Sequence, residues 1–167
     1  MPAAKVQIVR IKSAAARAAL PLLVIAALVA LDQAVKRWAA ANLSPFDEIP
    51  VINGFISFTY VENRGAAFGL LQNGRWFFIP VTSLILLVII YFYVKLPQTR
   101  AYKFVRATLV LITAGAVGNF IDRLFNGYVV DMLEFKFITF PVFNVADMCV
   151  VTGTFALAFV MLFIVKD

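Results

Sequence analysis

Four stretches of this chain, near residues 18–40, 75–95, 105–125 and 142–165, are long and apolar enough to cross a hydrocarbon core, which takes roughly 20 helical residues. No water is available in lipid to satisfy backbone N–H and C=O groups, so each stretch must be a helix. The rest of the composition agrees: 63% of the 167 residues are hydrophobic and only 14% are charged. The expected fold is an all-α membrane protein of four transmembrane helices, forming one domain over residues 1–167. The first stretch is too long for the apolar region of a secretion signal, and Asp32 and Lys36 follow where a cleavage site would sit, so it is read as retained.

The 15 basic residues exceed the 9 acidic ones, for a net charge of +6, which in another chain would suggest nucleic acid. Here the excess sits at segment ends. Lys5, Arg10, Lys12 and Arg17 precede the first apolar run, and Lys95, Arg100, Lys103 and Arg106 lie between the second and third. That distribution places both termini in the cytoplasm and turns residues 41–74 and 126–141 outward; no nucleic-acid partner is expected. In the first of these loops, the alternation of "FISFTYVEN" and the Asn53-Gly54 pair predict short strands, hence a small extracytoplasmic β-like cradle between helices one and two. Pro97 ends the second helix, and Pro141 suits the first turn of the fourth.

Histidine is absent and Cys149 is the single cysteine. A His-Cys zinc site and hydrolysis by serine or cysteine with a histidine base are therefore excluded, leaving carboxylates and lysines for acid-base work. No metal or other cofactor is expected. Cys149, without a basic neighbour, reads as an inert thiol. Ser44 or Ser57 with Lys36 would make a Ser-Lys pair, but their spacing gives it no support.

Ionisable residues inside a span cost about 3 kcal/mol or more when uncompensated, so each needs a partner or a purpose. Lys36 lies four residues after Asp32, the favourable order for a helical ion pair near the interface. Asp122 adjoins Arg123 in an interfacial charge network, and Arg123 either snorkels or holds a substrate carbonyl or lipid phosphate. Asp147 is different. It is expected about two turns into helix four, with no basic residue within four positions, and Asn144 is placed to donate a hydrogen bond to it. Either that amide pairs with a protonated Asp147, or a second carboxylate from Asp122, Asp131 or Glu134 meets it at the membrane edge. Two carboxylates ~4 Å apart at an effective dielectric near 20 disfavour double ionisation by about 4 kcal/mol, so the pair shares one proton near neutral pH. A pair in that state can activate water and polarise a carbonyl. Buried carboxylates also mark proton relays, so a small four-helix proton-coupled transporter is the alternative; no inverted repeat is visible to support it. A third reading is a non-catalytic scaffold in which the polar cluster only orients helices.

Gly115 and Gly118 open one face of helix three to close packing, and Asn119 is expected to brace the polar cluster of Arg123. "ENRGAAFG" is either a turn between strands or small-residue backbone along which a peptide or acyl chain passes while Asn63 bonds to it; Gly65 and Gly69 are candidate hinges. Phe55 and Phe58 are expected to dip into the bilayer.

Taken together, "LDQAVKRW", "ENRGAAFG", "GNFIDR", "VVDM" and "FNVAD", in that order over nearly the whole chain, resemble the lipoprotein signal peptidase family, signal peptidase II. The resemblance implies an aspartic endopeptidase of the bacterial cytoplasmic membrane with Asp131 and Asp147 as its catalytic dyad. Asn63, Gly65, Asn119, Asp122, Arg123, Asn144, Asp32 and Lys36 match substrate-binding or supporting positions. Met132 departs from the phenylalanine often found after the first aspartate. The implied substrate is a diacylglyceryl-modified prolipoprotein, cut just before its lipidated cysteine near the outer face. Membrane lipids as partners, a monomeric state and inhibition by globomycin-type cyclic peptides are implied with it, and Glu134 is left as an interfacial charge.

Overall fold

The computed structural model describes residues 2–43, 48–66 and 70–165, with side chains from residue 18 onward. Among these residues the elements run α1 (Pro2–Asn42), β1 (Ile49–Ile52), β2 (Ile56–Asn63), α2 (Arg75–Lys95), α3 (Arg100–Phe125), β3 (Val129–Phe135) and α4 (Val145–Phe163). The four segments long and apolar enough to cross a membrane are Ala18–Asn42 within α1, then α2, α3 and α4. The basic residues preceding residue 18 have side chains outside the described part.

Helix α3 begins at Arg100, a turn earlier than the hydropathy pattern suggests, because Thr99 and the basic residues after it form a solvated first turn. Helix α4 begins later than expected. Pro141 is not in its first turn but in the irregular stretch before it, and Phe143 bridges to Leu133 of β3 before the helix starts. Pairing of Phe143 with the sheet, which hydropathy does not register, delays the start of the helix.

The sheet is antiparallel in the order β1-β2-β3, so the cradle is not built between helices one and two alone; its third strand comes from the connection of α3 to α4. Gly54, at φ +74°, makes the tight turn foreseen at Asn53-Gly54. Between Phe58 and Val61 the register of β2 against β3 slips by one residue, so that Val61 comes opposite Asp131. Such a bulge re-aims every side chain beyond it, since side chains alternate with a period of two.

α3 packs on α4, α1 and α2, while α2 buries no residue and presents Trp76, Leu84 and Leu87 outward. One core lies beneath the sheet, where Ala39 and Leu43 at the end of α1 meet Val130 and Met132 of β3. Phe58 packs there, edge-on against Trp38 with ring centroids 5.1 Å apart. Phe55 is exposed at the turn between β1 and β2. A second core joins Val105 and Leu109 of α3 to Val160 of α4 at the far end of the bundle. A Cβ at Gly115 would overlap the Ala146 carbonyl oxygen of α4, and one at Gly118 would stand 2.6 Å from Asp32 Oδ2. Gly115 thus brings α3 to the backbone of α4, and Gly118 leaves room for the Asp32 side chain of α1.

Candidate active site

Helix α4 starts on Asn144, which is fully buried. Its Oδ1 accepts the backbone N–H of Asp147 at 2.8 Å, and Asp147 Oδ2 accepts the backbone N–H of Asn144 at 3.2 Å, a reciprocal capping box. Asp147 is therefore in the first turn of the helix and not two turns in. Because the Asn144 carbonyl oxygen is committed to an N–H, its amide nitrogen points the other way. It donates to Asp131 Oδ1 at 2.6 Å and to Asn119 Oδ1 at 3.1 Å, correcting the expectation that it donates to Asp147.

A second asparagine is fixed by the same logic. Lys36 can only donate, and its ammonium sits 2.8 Å from Asn119 Oδ1, so the Asn119 amide turns to Asp147 Oδ1 at 2.7 Å. Asn63 completes the set. Its Oδ1 accepts the Gly65 N–H, and its Nδ2 donates to Asp131 Oδ2 at 3.0 Å. All four oxygens of Asp131 and Asp147 thus accept a donor whose direction is set by a neighbour.

Asp131 is buried in β3, and that burial, followed by repulsion from the Asp147 carboxylate, raises its pKa to about 7. The amides of Asn63 and Asn144 and the charge of Lys36 oppose the rise.

Behind the asparagines lies a fully buried charge cluster. Lys36 bridges Asp32 at 2.8 Å and Asp122 at 2.9 Å. The Asp32–Lys36 pair forms as its spacing predicts and is buried within the bundle. Asp122 does not pair with Arg123. It turns to Lys36 and to Gln33, whose Nε2 donates at 2.9 Å. Asp32 also accepts the backbone N–H of Ala146 at 2.9 Å, so a carboxylate meets the positive end of the α4 dipole. Asn119 accordingly belongs to the Lys36 cluster and not to that of Arg123.

Arg123 instead lies 4.7 Å from the Phe78 ring centroid and donates to the Gly65 carbonyl at 3.2 Å, tying α3 to the turn after β2. Gly65 is there because a Cβ would overlap the Leu70 carbonyl oxygen. Glu134 is remote, in an exposed network with Lys136 at 3.0 Å. Ser57 is buried and donates to Glu48 at 2.6 Å. Ser44 and Gly69 lie outside the described residues. No group of three His, Cys, Asp or Glu side chains that could hold a metal ion occurs among the described residues.

Asp131 and Asp147 line one cleft of about 610 Å³ together with Asn63, Asn119 and Arg123. Apart from Thr152, its other described walls are apolar, from Leu133 and Phe143 to Met148 and Val151 of α4. The sequence reading missed two contributors. Gln33 was legible only as one more polar residue in "LDQ", and the strip 140–143 carries no polar signal at all.

Fold and site together define a multi-pass membrane protein that gathers two carboxylates at one end of its helix bundle. A family model described as signal peptidase (SPase) II matches residues 24–163. The chain is 49% identical over 143 residues to the lipoprotein signal peptidase of Caldanaerobacter subterraneus subsp. tengcongensis, covering 85% of this chain and 95% of that one. Against the lipoprotein signal peptidase of Clostridioides difficile it is 46% identical over 142 residues, covering 85% and 94%. A solved structure described as a bacterial membrane enzyme superposes with a TM-score of 0.81 at 34% identity, covering 86% of this chain and 88% of that one. The chain belongs to the signal peptidase II family. It is a peptidase, which sets aside the transporter and scaffold readings.

Proposed function

We propose that this chain removes the signal peptide from diacylglyceryl-modified prolipoproteins of a bacterial cytoplasmic membrane, cutting just before the lipidated cysteine, with Asp131 and Asp147 as its catalytic dyad. The observation that carries the reading is Asn144, whose side-chain amide bonds Asp131 while its backbone N–H bonds Asp147 in the same cleft. One buried residue thereby sets both carboxylates toward one space.

In this mechanism the pair holds a single proton. The ionised member takes a proton from water as its oxygen attacks the scissile carbonyl, and the protonated member hydrogen-bonds that carbonyl as it becomes tetrahedral. When the C–N bond breaks, a proton passes to the leaving amine of the lipidated cysteine. The four fixed donors keep the carboxylates in place without reorganisation during the step. The distribution of basic residues supports an orientation with the sheet end outward, where a lipid-anchored bond at the interface would be presented. Membrane lipid and the prolipoprotein are then its partners, it acts as a monomer, and globomycin-type cyclic peptides compete for the same cleft.

The test is cleavage of a diacylglyceryl-modified prolipoprotein by purified protein in detergent. Asp131→Asn and Asp147→Asn are each expected to abolish cleavage with the fold retained, and full cleavage by either variant refutes the dyad.

A further inference from the structure

A second cleft, of about 380 Å³, shares Asn63, Ala66, Asp131 and the strip 140–142 with the first. Asp131 therefore stands where two clefts join, and the two differ in what they run along. The first follows α4 past Met148 and Val151 to Thr152, five residues beyond Asp147 and so about 7.5 Å further along a membrane-spanning helix. Among the described residues, the second takes none from any of the membrane-spanning helices. It is completed by Val61, Gln72 and Thr139, all exposed, and by Glu62, whose carboxylate is paired with Arg64 at 2.8 Å.

A chain crossing this junction would have unlike halves: one in an apolar groove along a span, the other in a water-facing cleft. We infer that the second cleft holds the polypeptide on the carboxyl side of the cleaved bond, the water-soluble residues that follow the lipidated one, and that Val61, Gln72 and Thr139 are the side chains that seat it. The inference rests on the function proposed above and goes beyond it by assigning the exit side of the site. Apart from the shared Asp131 and the paired Glu62, the described lining is uncharged, and the amide of Gln72 and the hydroxyl of Thr139 can bond peptide backbone whatever the side chains. The cleft accordingly tolerates many sequences and recognises an extended chain.

Val61→Trp and Thr139→Trp fill the second cleft from exposed positions that do not line the first. Each variant is compared with wild type on two substrates, a full-length diacylglyceryl prolipoprotein and a diacylglyceryl lipopeptide that ends at the modified cysteine. The ratio of kcat/KM for the long substrate to that for the short one is expected to fall about tenfold, the scale on which a pocket rejects one ill-fitting group. An unchanged ratio in both variants, whether the two rates hold or fall together, overturns the inference while leaving the proposed function intact. If wild type cleaves neither substrate, the proposed function fails and this inference fails with it.

Discussion

Replacing Asn63 with leucine removes one donor from Asp131 while keeping the branched side-chain skeleton, and the direction of its effect on pH dependence follows from geometry. The Asn63 amide donates to Asp131 Oδ2 at 3.0 Å and so stabilises the ionised carboxylate. Without it the charged form loses a hydrogen bond worth about 1.5 kcal/mol, the lower end of the range for charged partners, taken because Asn63 is only half-buried. At about 1.4 kcal/mol per unit, the Asp131 pKa rises by about one unit. In the proposed mechanism the pair must hold one proton, so activity declines as pH rises past the value at which Asp131 releases it. The alkaline limb of kcat/KM should therefore lie at about 7 in the wild type. In Asn63→Leu it should move upward to about 8. The assay is kcat/KM for a lipidated prolipoprotein in detergent across the limb, which reports the free enzyme, with the apparent constant belonging to the pair. A general loss of rate is expected too, since the Gly65 N–H loses its acceptor. A limb that stays in place, or moves to lower pH, refutes the reasoning.

Lys36→Met leaves Asp32 and Asp122 buried without their shared cation and is expected to destabilise the protein by about 3–5 kcal/mol. Thermal unfolding in detergent measures it, and a wild-type midpoint would show that the cluster is not held by charge. Gly115→Ala should improve intrinsic helix propensity by about 1 kcal/mol, yet its Cβ would overlap the Ala146 carbonyl. Overpacking of about 1–3 kcal/mol is expected to outweigh that gain and to push Asp147 away from Asn119, lowering both midpoint and cleavage rate. A more stable and fully active Gly115→Ala would show that α3 and α4 can separate freely.

How much of this site was legible in the sequence depends on the range of each interaction. The Asp32–Lys36 pair is local to one helix, and the i to i+4 spacing announced it. Asn144 and Asp147 were joined on spacing alone, but the capping box reversed the expected use of the amide, because a helix start hidden within an apolar run is set by pairing of Phe143 with β3. Asp122, adjacent to Arg123 in sequence, turned instead to Lys36 on another helix.

The sequence by itself determined that the chain spans a membrane with four helices, since length and hydropathy leave such segments no other form. It determined equally that acid-base chemistry here falls to carboxylates and lysine, because histidine is absent. The motif set pointed to Asp131 and Asp147 by resemblance to a family, not by spacing. Only the tertiary structure decided that Asp131, in a strand, and Asp147, at a helix start, enter one cleft. Their meeting depends on the slipped register of β2 and on the glycine faces of α3 pressed against α4, both of them contacts between residues distant in sequence, on which local propensity is silent.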